Sequence, residues 1–312
     1  MPRSLAFATR RLGVVVSVLW GAATLAFIAV QAIPGDPVDI LSGGANVVDA
    51  GQRAAVRAQY GLDRPLIVQY AVYLAHAFTG DLGTSYQYRA PVTAVLGQAI
   101  GPTVQLAVTA VALAVVVSFI AAVSTAGRRR GLRSVLAGGE LVVLATPVYW
   151  IGIVALTIFS FQLGWFPVTG TTGWRSLVLP ACTLALPLAA LLAQVLRDGL
   201  EESLDEPFAL TVRTRGVSET ALRWRHGVRH SLLAVSTLTG TLLASVLGGS
   251  VLTETVFGRS GVGQVLLRAI SARDMPLVLG VVMLAALVFV VINLLIDALY
   301  LLIDPRLRQA GR

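Results

Sequence analysis

Lysine is absent from this chain, and all 24 basic residues are arginines. A P-loop needs a lysine on the nucleotide phosphates, and Schiff-base catalysis needs a lysine amine. The chain by itself therefore cannot be a P-loop ATPase or a Schiff-base enzyme. Cysteine is almost as scarce, since Cys182 stands alone in an apolar run. A single cysteine cannot form an internal disulfide or a cysteine-based metal site, and we expect a small buried side chain there.

Charge is also in short supply. Only 13% of the 312 residues are charged and 56% are hydrophobic, which gives a mean hydropathy of +0.78. Soluble domains carry about a quarter charged residues, and a single core could not hide this much apolar surface. The composition therefore predicts an integral membrane protein.

Six stretches provide the roughly 20 mostly apolar residues that a membrane-spanning helix needs. Arginines precede the first stretch, but its apolar run is longer than the core of a typical signal peptide, so we predict a retained helix. The prolines at 147, 180 and 187 are expected to kink their helices. The predicted spans are 12–33, 103–125, 136–161, 177–196, 232–252 and 277–303.

The distribution of arginine predicts the orientation. With the N-terminus inside, 16 arginines fall in the inner segments and 8 in the outer ones. The positive-inside rule then places both termini in the cytoplasm. The net charge of +8 is explained by this orientation and by attraction to anionic lipid, without nucleic-acid binding.

Residues 34–102 form an unusually long predicted outer connection. It opens with a Pro-Gly-Asp-Pro turn at 34–37, which must end the first helix. Two further helices are predicted, a polar one over 47–60 and an amphipathic one over 65–78. Loops of this length are usually functional or disordered, and the aromatic residues and periodicity here predict a folded extracytoplasmic cap.

The fifth span carries two rows of small residues at four-residue spacing, which allow close helix packing in lipid. The same narrow face could also line a passage, and both interpretations stay open. The candidate packing or pore-lining residues are Ser236, Gly240, Thr241, Ala244, Ser245 and Gly248. Two acids, Glu140 and Asp297, fall close to the membrane; we expect interfacial solvation of both rather than a central coupling charge.

Polar residues concentrate between the fourth and fifth spans, over 197–231. Pro207 at the start and Gly216 at the end favour a short helix over 207–215. Ser218 can cap a second helix over 219–230, with Glu219 at its positive end. Lipid anchoring alone would require neither this break nor the six acids of the segment, so a protein-docking surface explains it better. The basic residues presented are Arg213, Arg215, Arg223, Arg225, His226, Arg229 and His230.

Four motifs occur in an order that resembles one family. They are Pro-Gly-Asp-Pro at 34–37, Tyr-Gly-Leu-Asp-Arg-Pro at 60–65, Gly-Asp-Leu-Gly-Thr-Ser at 80–85, and the run from Glu254 through Arg273-Asp274-Met275-Pro276. With the loop block Thr211–Glu219, they are similar to ABC-type permeases of the dipeptide, oligopeptide and nickel uptake family. The chain departs from the family pattern in two places: Leu210-Thr211-Val212 replaces Glu-Ala-Ala, and Ala234 replaces a proline.

The resemblance implies an all-α type I ABC importer transmembrane domain with six transmembrane helices and a long extracytoplasmic segment between helices one and two. The expected divisions are 1–102, a five-helix core over 103–303 that includes the coupling loop 197–231, and a cytoplasmic tail over 304–312. The expected partners are a second homologous permease, cytoplasmic ABC ATPase subunits that hold ATP and Mg, and an extracytoplasmic substrate-binding protein. The residues expected to contact the ATPase are Phe208, Thr211, Arg213, Arg215, Gly216, Ser218 and Glu219.

The resemblance also implies that segment 254–276 forms an outer gate or contacts the binding protein, through Gly258, Arg259, Gly261 and Gly263. The cargo is expected to be di- or oligopeptides, with nickel chelates, haem or another small solute as alternatives. A secondary transporter would need clearer intramembrane charges. His226 and His230 lack a third ligand, so we expect no zinc site there. The resemblance implies that ATP is hydrolysed on separate subunits, so we expect neither catalytic residues nor a cofactor in this chain.

Overall fold

The computed structural model describes residues 3–32, 38, 50–127, 130–228, 242, 246 and 248–303. Within these ranges the regular structure is helical, apart from one antiparallel bridge between Thr84 and Pro91. The helices are α1 (Arg3–Gln31), α2 (Ala50–Tyr60), α3 (Leu66–Thr79), α4 (Val92–Thr125), α5 (Arg130–Ala145), α6 (Val148–Ala155, continued as a π-helix over Leu156–Gln162), α7 (Arg175–Asp205), α8 (Pro207–Thr214), α9 (Glu219–Ala221, continued as a π-helix over Leu222–Gly227), α10 (248–256), α11 (Val262–Ser271) and α12 (Met275–Ile303).

Among the described residues, three helices are long and apolar enough to cross a membrane, namely α4, α7 and α12, and a fourth span results if α5 and α6 count as one. They contain the predicted spans 103–125, 177–196 and 277–303, and the two helices predicted in the outer segment correspond to α2 and α3. The apolar part of α1, Gly13–Ala29, is shorter. The fifth predicted span lies mostly outside the described residues, so the six-span arrangement stays a prediction.

The predicted span 136–161 is not one continuous helix. α5 ends at Ala145 and α6 starts after Pro147, with a bend of 103° between them. Pro147 adopts φ −59° and ψ 136°, an extended conformation. A proline cannot donate a backbone hydrogen bond to the preceding turn, and its ring disfavours a helical conformation at the residue before it. The kink expected at this proline is thus a complete break.

α7 is longer than predicted and passes through both of its prolines. Residues 197–205, which the sequence assigned to the loop, continue the helix to Asp205. The helix ends at Glu206, which is extended with ψ 152°, because Pro207 follows and disfavours a helical residue before it. In its most apolar stretch 67% of α7 is buried, against 33% for α4 and 22% for α12. α7 is therefore an inner helix, whereas α4 and α12 leave apolar surface for lipid or another subunit.

The described residues form two compact units. The first lies within Met1–Gly101 and Gly261–Leu294, and the second within Pro102–Ser260 and Leu295–Pro305. The first unit packs Val92 and Leu96 of α4 against Ala269 and Leu277. The second unit's largest core holds, from α4 and α7, Leu106, Ala114, Leu192, Leu196 and Leu200.

Asp274 fastens two of the sequence motifs together inside the first unit. Its carboxylate is fully buried and accepts hydrogen bonds from the Ser85 hydroxyl at 2.5 Å and from the Gln87 backbone N–H at 2.9 Å. It also accepts from the Leu277 N–H at 3.3 Å, which caps the start of α12. A buried carboxylate is stable only when it is hydrogen-bonded in this way. The motifs at 80–85 and 273–276 are thus one structural feature.

Candidate functional site

The segment Pro207–Gly227 consists of a short helix (α8), a left-handed turn and a second helix (α9), as predicted. α8 begins at Pro207 and ends at Thr214. Gly216 follows with φ +78°, and its N–H donates to the Arg213 carbonyl at 3.0 Å. The Ser218 hydroxyl then accepts from the Ala221 N–H at 3.3 Å and caps the second helix. Glycine is favoured at 216 because of this positive φ. Crowding is not the reason, because an added Cβ would meet nothing within 4 Å.

An ion pair spans the turn. The Arg213 guanidinium donates from Nε to Oε1 of Glu219 at 2.7 Å and from Nη2 to Oε2 at 3.5 Å. It also donates to the Leu204 carbonyl at 3.4 Å, at the end of α7. The hydrogen bond from Arg213 lowers the pKa of Glu219, and the same bond raises the pKa of Arg213. Arg213 therefore braces α7, α8 and α9 at one point.

The two helices of the segment have an apolar inner side and an exposed outer side. Leu204, Ala209 and Leu222 are buried together, with Phe208 and Val212 partly buried against them. Thr211, Arg213, Arg215, Gly216, Ser218 and Glu219 are exposed. Two large apolar side chains are exposed on the same segment, Leu210 at 64% and Trp224 at 51%. The sequence indicated Leu210 only as a departure from the family pattern and did not indicate Trp224 as a contact residue, although exposed apolar side chains among charges are typical of a protein-docking surface.

Not every arginine of the segment faces outward. Arg223 was expected to be presented to a partner, but it is only 6% exposed. Its guanidinium lies next to Gly127, where an added Cβ would come within 3.8 Å of Nη2. α9 therefore turns this arginine inward, against the turn that follows α4. The side chains of Arg225 and His226, and residues Arg229 and His230, lie outside the described part of the chain.

A buried ion pair joins α7 to α5. Arg197 of α7 pairs with Glu140 of α5 through both guanidinium Nη atoms: Nη1 donates to Oε2 at 3.0 Å, and Nη2 donates to Oε1. Arg197 Nε donates to the Thr125 hydroxyl at 2.8 Å. The side chains of Arg197 and Glu140 are 4% and 9% exposed. The interfacial solvation expected for Glu140 is thus wrong, because its charge is met by an arginine in the protein interior.

Of the four residues predicted for the outer gate, Gly258 and Arg259 lie at the end of the second unit, and Gly261 and Gly263 lie in the first. Gly258 has φ +59° and lies against Thr169. Arg259 is fully buried; its Nη1 donates to the Ser176 carbonyl at 3.2 Å, and its Nη2 donates to the Gln105 side chain at 3.4 Å. Because the guanidinium is enclosed, it offers no surface to a binding protein in this structure.

Glu254 lies one turn before Arg259 and is fully buried as well. Its carboxylate accepts from the Thr103 hydroxyl at 2.6 Å. The Arg259 N–H also donates to the Glu254 carbonyl at 2.9 Å. The sequence indicated Glu254 only as a motif residue. In the structure Glu254 and Arg259 are both buried and bonded inside the protein, so this part of the motif stabilises the fold. Gly261 and Gly263 are buried too, in the first unit.

The structure describes only the C-terminal residues of the small-residue rows of the fifth span. Ser236, Gly240, Thr241, Ala244 and Ser245 lie outside the described residues. Gly248 is exposed, with nothing within 4 Å of an added Cβ. Its neighbour Gly249 packs against Leu184 of α7, whose Cδ1 would be 2.9 Å from an added Cβ. Close packing is thus observed for Gly249, and a pore-lining role for the row stays a prediction.

Comparison with known proteins identifies the family. Residues 114–309 match the family of the inner membrane component of binding-protein-dependent transport systems. The chain belongs to this permease family. Residues 4–107 match the family's separate N-terminal membrane component, so the two matches cover nearly the whole permease. It is accordingly a multi-pass inner membrane protein and a permease subunit of an ABC importer, as the motifs indicated.

Several curated permeases are similar over almost their full length. The glutathione transport system permease protein of Salmonella typhimurium is 36% identical over 288 residues, covering 92% of this chain and 93% of that protein. A putative peptide transport system permease protein of Brucella abortus is 35% identical over 312 residues, covering 96% of this chain and 98% of that protein. These are permeases of the peptide uptake branch that the motifs resemble.

The fold also matches a solved structure. A chain of an amino acid ABC transporter crystallised with histidines has a TM-score of 0.50 and 17% identity, and the match covers 69% of this permease and 94% of that chain. At this level of identity the likeness concerns the fold alone.

Proposed function

We propose that this permease forms part of the translocation path for short peptides in an ATP-driven importer. Two relatives described above carry the names of glutathione and peptide transport systems, and both align over more than nine-tenths of the chain. The partners proposed are a second homologous permease, cytoplasmic ABC ATPase subunits and an extracytoplasmic substrate-binding protein. Both termini and the segment 206–228 lie in the cytoplasm in this proposal.

One observation carries the coupling role of that segment. The helix–turn–helix at Pro207–Gly227 is braced internally by Arg213 and Glu219, yet keeps Leu210, Arg215 and Trp224 exposed. The segment also exposes the carboxylates of Asp205, Glu206 and Glu219, which an anionic lipid surface would repel, so a protein groove suits it better. α7 runs unbroken from Arg175 to Asp205 and leads directly into this segment. A displacement of the segment by the ATPase would therefore be transmitted to α7, the inner helix of the second unit.

The experiment is uptake of a labelled dipeptide by cells that produce the permease with its partner subunits. The Gly216→Val variant should reach the membrane in normal amounts but fail to transport. A β-branched residue at φ +78° strains the turn by about 1–2 kcal/mol. A clash with neighbouring atoms does not contribute, because nothing lies within 4 Å of an added Cβ. Gly216→Asn is the matched control, because asparagine tolerates the left-handed conformation. Normal uptake by Gly216→Val would refute the coupling role.

A further inference from the structure

The outward side of α3 is aliphatic, whereas its polar side chains point inward. Over residues 66–75 every exposed residue is aliphatic, and Ile67 is 72% exposed. The polar members of this stretch, Gln69, Tyr70 and Tyr73, are half-buried. A helix that stands in water presents its polar residues outward, so α3 has the opposite arrangement. Its exposed aliphatic face consists of Leu66, Ile67, Val68, Ala71, Val72 and Ala75.

The inward side of α3 packs on α1, within the apolar part of that helix. The hydroxyls of Tyr70 and Thr24 are hydrogen-bonded at 2.6 Å. The Phe27 ring lies against the rings of Tyr70 and Tyr73, with centroids 5.3 and 6.1 Å apart. Thr24 and Phe27 precede the end of α1 at Gln31 by about 6–10 Å along the helix axis. Because α1 is the first predicted span, α3 lies beside it at a depth that lipid reaches.

The surface of α1 next to this contact is apolar and exposed as well. Leu25 and Ile28 each follow a contact residue and are 69% and 57% exposed. On a predicted span, such side chains face acyl chains. Amphipathic helices at a membrane surface bury their apolar side about 5–10 Å into the boundary between headgroups and acyl chains. The depth at which α3 contacts α1 agrees with that range.

Both ends of α3 are polar, which favours a helix that lies parallel to the membrane. Its 14 residues extend about 21 Å, too short for a hydrocarbon core of about 30 Å. Asp63 and Arg64 are exposed before its start. At the other end the exposed His76 and Asp81 approach to 3.9 Å. A helix pointing into the bilayer would place one of these polar ends in hydrocarbon, whereas a parallel helix keeps both at the headgroups.

The composition of the aliphatic face favours lipid over a protein partner. None of its six residues is aromatic, charged or methionine. Protein interfaces are enriched in aromatic residues, methionine and arginine, and leucine and valine are under-represented among the residues that dominate binding energy. Acyl chains make only non-directional contacts, for which aliphatic side chains suffice.

We propose that α3 is an interfacial helix whose aliphatic face lies against the phospholipid acyl chains on its side of the membrane. That side is the outer leaflet in the orientation of the proposed function, and the contact with lipid itself does not depend on this orientation. Through Tyr70 and Tyr73, α3 then holds the end of α1 at the membrane surface. The segment between α1 and α4, predicted as a cap, thus rests partly in the bilayer.

The test is spin-label accessibility in the full-length permease, produced with its partner subunits and reconstituted in phospholipid liposomes. Cys182→Ser removes the only native cysteine, and nitroxides are then attached singly at Ile67→Cys and Ala71→Cys. Collisions with oxygen, which partitions into acyl chains, are compared with collisions with a water-soluble nickel chelate. The oxygen-to-nickel ratio should be several-fold higher at both positions than at Asp63→Cys, just before the helix, and close to the ratio at Leu25→Cys of α1.

Two outcomes would overturn the proposal. If the labels at Ile67→Cys and Ala71→Cys meet the nickel chelate as often as the label at Asp63→Cys does, the face stands in water. If neither reagent reaches them, protein covers the face, either the second permease or another part of this chain. Because all three labelled positions are exposed, the substitutions leave the packing on α1 in place.

The orientation is measured separately, with a membrane-impermeant thiol reagent on intact spheroplasts that carry Asp63→Cys. Labelling without permeabilisation is expected if the segment lies outside the cell. Labelling only after permeabilisation would contradict the proposed function, while a high oxygen-to-nickel ratio at Ile67→Cys would still support the interfacial helix. Outside labelling with a water-exposed Ile67→Cys would leave the proposed function intact and refute the helix assignment.

Discussion

Removing one partner of the buried Arg197–Glu140 pair should destabilise the permease strongly. The pair joins α7 to α5, and Arg197 also donates to the Thr125 hydroxyl at the end of α4. Both charged side chains are less than a tenth exposed. In Arg197→Met the carboxylate of Glu140 keeps its burial and loses its counter-charge. Thr125 is not orphaned, because its hydroxyl also bonds the Ala121 carbonyl at 2.7 Å.

The magnitude follows from the two buried charges. Breaking a buried ion pair at one end costs about 3–5 kcal/mol, chiefly because the remaining charge is uncompensated. Replacing both ends by apolar residues, as in Glu140→Leu with Arg197→Met, removes that penalty and should restore most of the stability. We therefore expect strong non-additivity: each single variant is much less stable than wild type, and the double variant is more stable than either.

The assay is equilibrium unfolding of the purified permease in mixed micelles, read by circular dichroism. The structure supplies a matched control, since Arg133 and Glu201 join the same two helices at 3.0 Å but are 47% and 24% exposed. Glu201→Gln should cost less than about 1 kcal/mol, as exposed pairs do. If Arg197→Met costs no more than Glu201→Gln, or if the double variant is as unstable as the sum of the singles, the argument from burial is refuted.

Two further predictions concern one packed glycine and one exposed ion pair. Gly280→Ala should destabilise the first unit by about 1–3 kcal/mol, because an added Cβ would overlap the buried Val92 side chain, whereas Gly97→Ala, with open space around it, should be neutral or mildly stabilising in thermal unfolding. The Arg213–Glu219 pair should stabilise the turn at neutral pH and lose its effect in acid. The lowered pKa of Glu219 means that its contribution is complete above the ordinary carboxylate pKa and disappears as the pH falls through the lower folded value. Wild type and Glu219→Gln should therefore differ in unfolding midpoint at pH 7 and converge in acid, and a difference that grew in acid would contradict the assignment.

Local sequence signals predicted the helices and the turn of the segment that follows α7. Pro207, Gly216 and Ser218 act through their own backbone or through bonds to residues three positions away. Such short-range chemistry can be read from the sequence because its partners are nearby in the chain. The same is true of the break at Pro147, whose position was predicted, although a kink was expected rather than a bend of 103°. The size of a bend depends on what packs on either side, which local sequence does not specify.

Long-range pairing was invisible from the sequence. Glu140 and Arg197 are 57 positions apart, and Ser85 and Asp274 are 189 apart. Nothing in either local pattern indicates the other member, so Glu140 was assigned to the interface and Arg259 to an outer surface. The C-terminal end of α7 raised the same difficulty. A loop was predicted from 197 onward because charged residues begin there, but Arg197, Leu200 and Leu204 are buried, so the helix continues as an amphipathic one to Asp205.

Buried arginines do not undermine the orientation inferred from arginine counts. Arg197 and Arg223 were counted on the inner side and Arg259 on the outer side, and all three prove to be buried. Without them the count falls from 16 against 8 to 14 against 7, which is the same ratio. The rule concerns which segments cross the membrane during insertion, and burial concerns where side chains lie after folding. Arg197 and Arg259 therefore bond parts of the folded chain to one another. The arginines other than these three keep the two-to-one ratio on which the proposed cytoplasmic placement of Gly216 depends.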